Sequence, residues 1–177
     1  MEEKIIIAGF GGQGVILAGN ALAQSALAED KEITAMVSYG AEMRGGTATC
    51  SITISDNKIA SPVVDEPTTL IALNRPSLDK YEGSVAKNGL IVLNESLADR
   101  DVKRKDVKVV KVPATEIANE LGNVRVANVI LLGAFIKKTG ILDLDKVVKT
   151  LPKSFPKHKQ DLADINIKAL KKGAELV

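Results

Sequence analysis

Three glycines near the start of the chain have the spacing of a phosphate-binding turn. Gly9, Gly11 and Gly14 fit the pattern G-x-G-x-x-G and directly follow the apolar, β-branched run at residues 5–7. Glycine lets the backbone turn sharply and approach a ligand or another chain closely. A helical pattern begins at residue 15, and the free N–H groups at the start of a helix can hold an anion. This stretch therefore predicts a buried parallel strand, a tight turn and a helix whose N-terminus faces the turn.

An ordinary nicotinamide site needs one more group, an acidic residue about 20 positions further on, at the end of the second strand. That strand is predicted at residues 33–37, and Ser-Tyr-Gly follows it, whereas Glu29, Asp30 and Glu32 precede it. Because the ribose partner is missing, the sequence disfavours a nicotinamide site. The alternative is a glycine turn that only packs a helix closely on a sheet. Small residues in the predicted helix favour this alternative: Ala18, Gly19, Ala21 and Ala23.

The overall composition restricts the classes of function. The chain has 177 residues, which predicts a single domain over residues 1–177 with a sizeable core. The net charge of +2 gives no electrostatic argument for nucleic-acid binding, and we interpret the basic run at residues 103–111 as a solvated edge or loop. The apolar run near the N-terminus is too short for export or for spanning a bilayer. We therefore expect a cytoplasmic protein that binds neither nucleic acid nor a membrane.

Reactive side chains are scarce in this sequence. One cysteine, Cys50, and one histidine, His158, predict no disulfide, no metal site and no iron–sulfur cluster ligated by this chain alone. Cys50 lies on the apolar face of the alternating segment 47–55, so we interpret it as a core residue, and His158 as a solvated or capping residue. The motifs of serine hydrolases and P-loop enzymes are absent. We expect no catalytic residue here and infer a subunit whose partners hold the cofactors.

The elements that position the glycine turn alternate between strands and helices, as in a three-layer α/β domain. Three further strands are predicted: a buried one at residues 68–73 and two more at residues 89–93 and 107–112. The segments 47–55 and 59–64 flank a short turn and predict a β-hairpin, so we expect a mixed sheet. Residues 126–136 are apolar almost all round, which predicts a helix buried in the core or under a partner chain. In the second case the isolated chain would form a homodimer.

Several motifs together resemble one family. GFGGQG at residues 9–14 is followed, after one helix and one strand, by SYGAEMRGG at residues 38–46 and then by the alternating strand. This combination resembles the gamma subunit of 2-oxoacid:ferredoxin oxidoreductases, over essentially the whole chain. Further matching residues are Ser61-Pro62, Ala72-Leu73-Asn74, Asn128, Leu132-Gly133-Ala134 and the closing amphipathic helix. The form EMRGG is more similar to the 2-oxoglutarate branch than to the pyruvate or indolepyruvate branches.

The resemblance implies a Rossmann-like, three-layer α/β/α sandwich with a mixed sheet and a place in a larger enzyme. In this family the complex decarboxylates a 2-oxoacid on thiamine diphosphate with Mg, passes electrons through iron–sulfur clusters to ferredoxin, and releases an acyl-CoA. The implied partners are the alpha and beta subunits and a ferredoxin-like delta subunit, which hold these cofactors. The chain alone would then be inactive.

The resemblance also implies that the glycine loops lie at a subunit boundary, near the active site and the route of coenzyme A. The candidate site residues are Gly9, Gly11, Gly12, Gln13, Gly14, Glu42, Arg44, Gly45 and Gly46. In one hypothesis the N–H groups of residues 11–14 and the Arg44 guanidinium bind the phosphates of coenzyme A. In the other, Glu42 and Arg44 pair with each other or with a partner chain, and the glycines only allow close packing.

Two functions of other classes remain open at this point. A free-standing nucleotide-binding oxidoreductase would use the glycine turn for its own cofactor, and the missing acidic residue after the second strand counts against it. A pure interaction module would use the same turn only to contact another chain.

Overall fold

Six strands form one mixed sheet in the computed structural model, which describes residues 1–40, 46–154 and 162–177. The strands are β1 (Glu2–Phe10), β2 (Glu32–Tyr39), β3 (Thr47–Ser55), β4 (Thr69–Ala72), β5 (Leu90–Asn94) and β6 (Lys108–Val112). Their spatial order is β2-β3-β1-β4-β5-β6. β1, β4, β5 and β6 run parallel, whereas β3 is antiparallel to its neighbours β1 and β2.

A helix connects β4 to β5, whereas β5 is followed by a 3₁₀ turn and a loop before β6, and further helices come after β6. The helices of the described ranges are α1 (Val15–Leu27), α2 (Arg75–Tyr81), α3 (Ala114–Glu120), α4 (Ala127–Thr139), α5 (Leu144–Thr150) and α6 (Ala163–Ala174). Short 3₁₀ turns lie at Glu82–Ser84, Glu95–Leu97, Val124–Val126 and Leu151–Ser154. Gly140 directly follows α4 as its C-cap and has the left-handed conformation (φ 65°) that favours glycine at this position.

The prediction of a β-hairpin between residues 47–55 and 59–64 is wrong. β3 forms as predicted, but residues 59–64 form no strand. Both edges of β3 are already paired, with β1 on one side and β2 on the other, so no edge is left for a returning strand. Pro62 also lacks the N–H group that a ladder needs. The sheet is mixed, as predicted, because β3 runs against β1 and β2.

Apolar side chains leave the two faces of the sheet alternately and form two cores. Ile5 and Ile7 of β1 pack on the face that α1 and α4 cover, whereas Ile6 and Ala8 pack on the face that α2 covers. Helices therefore lie on both faces, which confirms the predicted three-layer fold. Cys50 packs in the first core, as predicted, and its burial raises the pKa of the thiol to about 11.

Small residues bring α1 close to the sheet. A Cβ added at Gly19 would lie 2.4 Å from Sγ of Cys50, and Ala18 and Ala21 are buried beside it. Ala23 is only partly buried, so it contributes less to this contact than the sequence predicted. The close-packing part of the glycine-turn interpretation therefore holds for the first two turns of α1.

The apolar helix α4 lies in the core of this chain. Every residue from Asn128 to Ile136 is buried, and α6 crosses it closely. A Cβ added at Gly133 would lie 1.9 Å from the Leu170 carbonyl oxygen, and one added at Gly173 would lie 1.8 Å from that of Ile130. The hypothesis that a partner chain or a second copy covers this helix is wrong, because α6 and the sheet already do so.

The closing amphipathic helix, predicted from residue 158, begins at Ala163 in the described part of the chain. His158 lies outside the described residues. Among the helices of the described ranges, none combines the length and the apolar character needed to cross a membrane.

Candidate functional site

The glycine loop lies where the carboxyl ends of β1, β4 and β5 meet, the edge at which open α/β sheets bind ligands. Gly12 (φ 94°) and Gly14 (φ 76°) have the left-handed backbone conformation that turns the chain from β1 into α1. A Cβ at Gly14 would also lie 2.4 Å from Nδ2 of Asn128. The sequence of the loop therefore serves both a sharp turn and a close approach.

Gln13 fixes the loop from within. Its side-chain oxygen Oε1 accepts hydrogen bonds from the Phe10 amide (2.7 Å) and from Nδ2 of Asn74 (2.8 Å). Asn74 follows β4 and is 2% exposed, and its Oδ1 accepts from the Ser77 amide (2.9 Å) as the N-cap of α2. One asparagine thus joins the glycine loop to the end of β4 and the start of α2.

Two further buried asparagines continue this network. Asn128, at the start of α4, donates from Nδ2 to the Gly14 carbonyl (2.9 Å). Asn94, at the end of β5, donates from Nδ2 to the Leu73 carbonyl (3.2 Å) and to Oγ1 of Thr115 (2.9 Å). We call Gln13, Asn74, Asn94 and Asn128 the amide cluster. It ties the ends of three parallel strands to the starts of α1, α2, α3 and α4 without any charged group.

A cleft of about 130 Å³ opens beside the amide cluster. It is lined by Gly12, Gln13, Leu73, Asn94, Leu97, Thr115, Val124, Arg125 and Ala127. Arg125 is exposed at its rim and makes no ion pair with a carboxylate of the described residues. Amides, a hydroxyl and a guanidinium can bind and orient a polar or anionic ligand. The described lining offers no nucleophile and no general base.

The predicted anion-binding amides are only partly available. The N–H of Gly11 donates to the Gly46 carbonyl (3.0 Å), and the N–H of Gln13 donates to the Phe10 carbonyl (3.1 Å). The amides of Gly12 and Gly14 have no acceptor among the described residues. Any anion at this loop would therefore use these two amides and the first turn of α1.

Of the remaining predicted site residues, Gly9 and Gly46 lie in the described part of the chain and the other three do not. Gly9 is buried, and a Cβ there would lie 2.9 Å from Oε1 of Gln13, so it serves close packing. The carbonyl of Gly46 accepts from the Gly11 amide, so the end of the motif at residues 38–46 lies next to the motif at residues 9–14. Glu42, Arg44 and Gly45 lie outside the described residues.

Sequence reasoning missed most of the amide cluster. Asn74 and Asn128 enter the sequence analysis only through the family resemblance, and Asn94 directly follows the strand predicted at residues 89–93 without being predicted as a site residue. The signal that could have found two of them is an asparagine directly after a buried strand at the ligand-binding edge. Asn128 gives no such local signal, because it contacts Gly14 across 114 positions of sequence.

A second polar cluster lies on the α2 side and consists of charged groups. Glu82 is buried and accepts from Nη2 of Arg100 (2.7 Å) and from the amides of Lys103 and Arg104 (3.1 Å for Arg104). Arg100 also binds Asp79 (2.6 Å). Burial of Glu82 acts to raise its pKa, but these hydrogen bonds outweigh it and hold the pKa below the ordinary value. We call Glu82, Arg100, Arg104 and Asp79 the ionic cluster.

The ionic cluster corrects one interpretation made from the sequence. The basic run at residues 103–111 was predicted to be solvated, and Lys105 and Lys108 are indeed exposed. Arg104 instead donates to the carbonyl of Val85 and pairs with Asp106, so it fixes the loop against α2. In the described ranges, no group of three or more His, Cys, Asp or Glu side chains could hold a metal ion.

Comparison with known proteins assigns this architecture to a family. The family model described as pyruvate ferredoxin/flavodoxin oxidoreductase matches residues 4–176. The chain belongs to this oxidoreductase family. The resemblance recognised from the glycine motifs is therefore confirmed.

Individual members of the oxidoreductase family match along the whole chain. The ketoisovalerate oxidoreductase subunit VorA of Methanothermobacter marburgensis is 40% identical over 175 residues, which are 98% of this chain and 36% of that protein. The 2-oxoglutarate synthase subunit KorC of Methanocaldococcus jannaschii is 36% identical over 179 residues, which are 99% of this chain and 94% of that protein. This chain thus spans about a third of the length of VorA.

A solved member of the family has the same fold. The gamma subunit of a keto/oxoacid ferredoxin oxidoreductase from Geobacter sulfurreducens PCA matches with a TM-score of 0.84 and 27% identity. The match covers 98% of this chain and 96% of that one.

Proposed function

We propose that this chain is the gamma subunit of a 2-oxoacid:ferredoxin oxidoreductase that releases an acyl-CoA. In this proposal, alpha and beta subunits hold thiamine diphosphate and Mg, a ferredoxin-like delta subunit carries iron–sulfur clusters, and ferredoxin accepts the electrons. This chain holds no cofactor of its own. It contributes one wall of the cleft in which coenzyme A meets the acyl group.

The observation that carries the proposal is family membership over residues 4–176, together with a cleft whose described lining offers polar groups but no reactive ones. Decarboxylation and electron transfer need a carbanion-stabilising cofactor and redox centres. The polar side chains of the described lining are those of Gln13, Asn94, Thr115 and Arg125, none of which supplies either. This lining supports the proposal that the chemistry comes from partner chains.

Coenzyme A is the ligand that we assign to the cleft. Its phosphates would meet the Arg125 guanidinium and the amides of Gly12 and Gly14, since a guanidinium binds phosphate through paired N–H groups. The backbone amides at the start of α1 add the positive end of the helix dipole. Arg44 belongs to the same proposal on sequence grounds alone.

The test is steady-state kinetics of the reconstituted complex with coenzyme A as the varied substrate. Arg125→Gln should raise the KM for coenzyme A about tenfold, the loss expected for one charged contact of about 1.4 kcal/mol, and leave kcat nearly unchanged. Lys138→Gln is the matched control, because Lys138 lies at the opposite end of α4 and borders a different pocket. Equal KM values for both variants and the unchanged complex would remove coenzyme A from this cleft.

The substrate of the complex is a 2-oxoacid, for which two candidates have specific support. The EMRGG motif favours 2-oxoglutarate, and KorC carries that substrate in its name. VorA, with the higher identity, is named for ketoisovalerate. We propose 2-oxoglutarate. A comparison of kcat/KM for 2-oxoglutarate, ketoisovalerate and pyruvate in one reconstituted complex would decide, and a higher value for ketoisovalerate would replace the proposal.

A free-standing nucleotide-binding oxidoreductase has less support. β2 ends at Tyr39 without an acidic residue for a ribose, and two of the loop amides already donate within the chain. Titration of the purified chain with NAD(H), NADP(H) and FAD should show no tight binding. Micromolar binding of any of them would favour this alternative. Coenzyme A binding that is equal with and without this chain in the complex would favour a pure interaction module.

A further inference from the structure

The two edges of the sheet differ in how they are protected. β2 forms one edge over eight residues, and its outward-facing backbone groups have no strand beside them in the described part of the chain. Its apolar side chains are unusually exposed: Met36 by 48%, Val37 by 47% and Tyr39 by 65%. The register with β3 runs through eight consecutive pairs, so no bulge twists this edge away from a neighbour.

β6, at the other edge, carries the usual protection. It has five residues, of which Lys108 and Lys111 are exposed lysines. Lysines and short length are the devices by which natural proteins keep an edge strand from pairing with another chain. β2 has neither lysine nor proline, and its one carboxylate, Glu32, is at the end of the strand. An edge left in this state predicts a strand partner.

We propose that β2 pairs antiparallel with β2 of a second copy of this chain, around a two-fold axis at Met36. Such an axis perpendicular to the sheet keeps every side chain on its own face, so opposite residues must be an even number of positions apart. Centring the pairing on Met36 places Ala35 opposite Val37 of the partner subunit. It also places Thr34 opposite Ser38 of the partner subunit.

In this register, side chains of the same chemical type lie opposite each other. Apolar residues face apolar residues, hydroxyls face hydroxyls, and Ile33 lies opposite Tyr39 of the partner subunit. The register centred on Ala35 instead pairs Thr34 with Met36 and leaves the exposed Tyr39 outside. Between residues 33 and 38 the strand has no charged side chain, so the pairing opposes no like charges. A second copy of β2 therefore fits this edge, because its side chains match in type on both faces of the sheet.

The proposed dimer should be weak when the chain is isolated. A single strand pair buries less than the roughly 1,000 Å² that a stable interface requires, so we expect dissociation in the micromolar range. The proposal does not depend on the activity of the complex, because its tests measure only the association of the isolated chain with itself.

Sedimentation equilibrium of the full chain tests whether it dimerises through β2. The unchanged chain should form dimers that dissociate between about 1 and 300 μM. Met36→Lys places two ammonium groups against each other at the axis and should weaken dimerisation at least about tenfold. Val109→Lys is the matched control, since Val109 is 38% exposed on the edge strand β6. A monomer at every concentration, as expected if a sister subunit covers β2, or dimers of Met36→Lys as strong as the unchanged ones, would overturn the proposal.

Disulfide formation with oxidised glutathione tests the register. Each disulfide joins two thiols and reduces one molecule of oxidised glutathione to two of the thiol form. Met36→Cys should form a disulfide-linked dimer alone, because opposite Cα atoms lie about 4.5–5.5 Å apart in an antiparallel pair. Ser38→Cys should not, since the two copies of that residue would lie roughly 13 Å apart along the strands. Cys50 is 2% exposed and stays a buried background thiol.

The register requires that Met36→Cys and Ser38→Cys, each used alone, differ in their disulfide cross-linking. A mixture of Thr34→Cys and Ser38→Cys chains should give a mixed disulfide-linked dimer, because these positions face each other. Equal cross-linking of Met36→Cys and Ser38→Cys alone, or none of either, would contradict pairing around Met36.

Discussion

The amide cluster and the ionic cluster each fix a loop to the same sheet, but they do so by different physics. The amide cluster uses neutral side chains and glycines whose Cβ positions are already occupied, as at Gly14. The ionic cluster uses Glu82 and two arginines, with open space around Gly83 next to it. The first depends on exact shape and is independent of pH. The second tolerates added volume but depends on charge.

The difference favours the amide cluster as the framework of the proposed binding site. A neutral, sterically tight framework holds backbone amides in one place at any pH, which suits a surface that must present them to an anion. A charged framework would compete with an anionic ligand for its own arginines. The ionic cluster does not line the cleft beside the amide cluster. It fixes the loop that follows β5 instead.

The largest effect should come from adding one methyl group to the glycine loop. Gly14→Ala should lower the free energy of unfolding by about 3 kcal/mol, because the left-handed backbone is strained and the new Cβ meets Asn128. Gly83→Ala, at a position with nothing within 4 Å of the added atom, should change it by less than about 0.5 kcal/mol. Urea denaturation measures both, and equal effects would mean that the loop is not sterically tight.

Removing the central charge of the ionic cluster should have the next largest effect. Glu82→Gln should lower the free energy of unfolding by about 2 kcal/mol, since Arg100 and two backbone amides lose a buried carboxylate. The control is Glu175→Gln, which breaks the exposed pair with Lys172 and should cost about 0–0.5 kcal/mol. If both substitutions cost the same, Glu82 is not the centre of this cluster.

Truncating an amide should give a smaller loss. Asn74→Ala removes the cap of α2 and the bond to Gln13, and should cost about 1.5 kcal/mol. Asn57→Ala, in an exposed turn, serves as the control. Thermal unfolding followed by circular dichroism would show the difference, and an unchanged midpoint for Asn74→Ala would argue against its joining role.

The smallest effect should be the pH dependence that separates the clusters. The pKa of Glu82 is lower in the folded chain than in the unfolded chain, so its contribution is complete above the unfolded pKa and is lost as the pH falls through the folded pKa. Urea midpoints of the unchanged chain and of Glu82→Gln should therefore converge as the solution becomes more acidic than the ordinary pKa of glutamate. The loss caused by Asn74→Ala should not change over the same range. Parallel curves for Glu82→Gln would contradict the assignment.

The sequence predicts the parts of this molecule that depend on neighbouring residues. Strand alternation placed Cys50 in the core, and the glycine spacing located the turn into α1. Features that depend on distant residues were not predictable in this way. Gln13 meets Asn74 across 61 positions, and Gly133 meets the backbone of α6. The hairpin prediction failed for the same reason. β1, which is distant in sequence, and β2, which is near, pair with the two edges of β3 and leave none for residues 59–64.

Reconstitution with one component left out at a time tests whether this chain is a non-catalytic subunit that the complex needs. Ferredoxin reduction driven by a 2-oxoacid and coenzyme A would be measured with the partner subunits alone, with this chain alone, and with all chains together. We expect full activity only for the complete mixture and none for this chain by itself. Turnover by the isolated chain, or unchanged coenzyme A-dependent activity without it, would rule out this role for the chain.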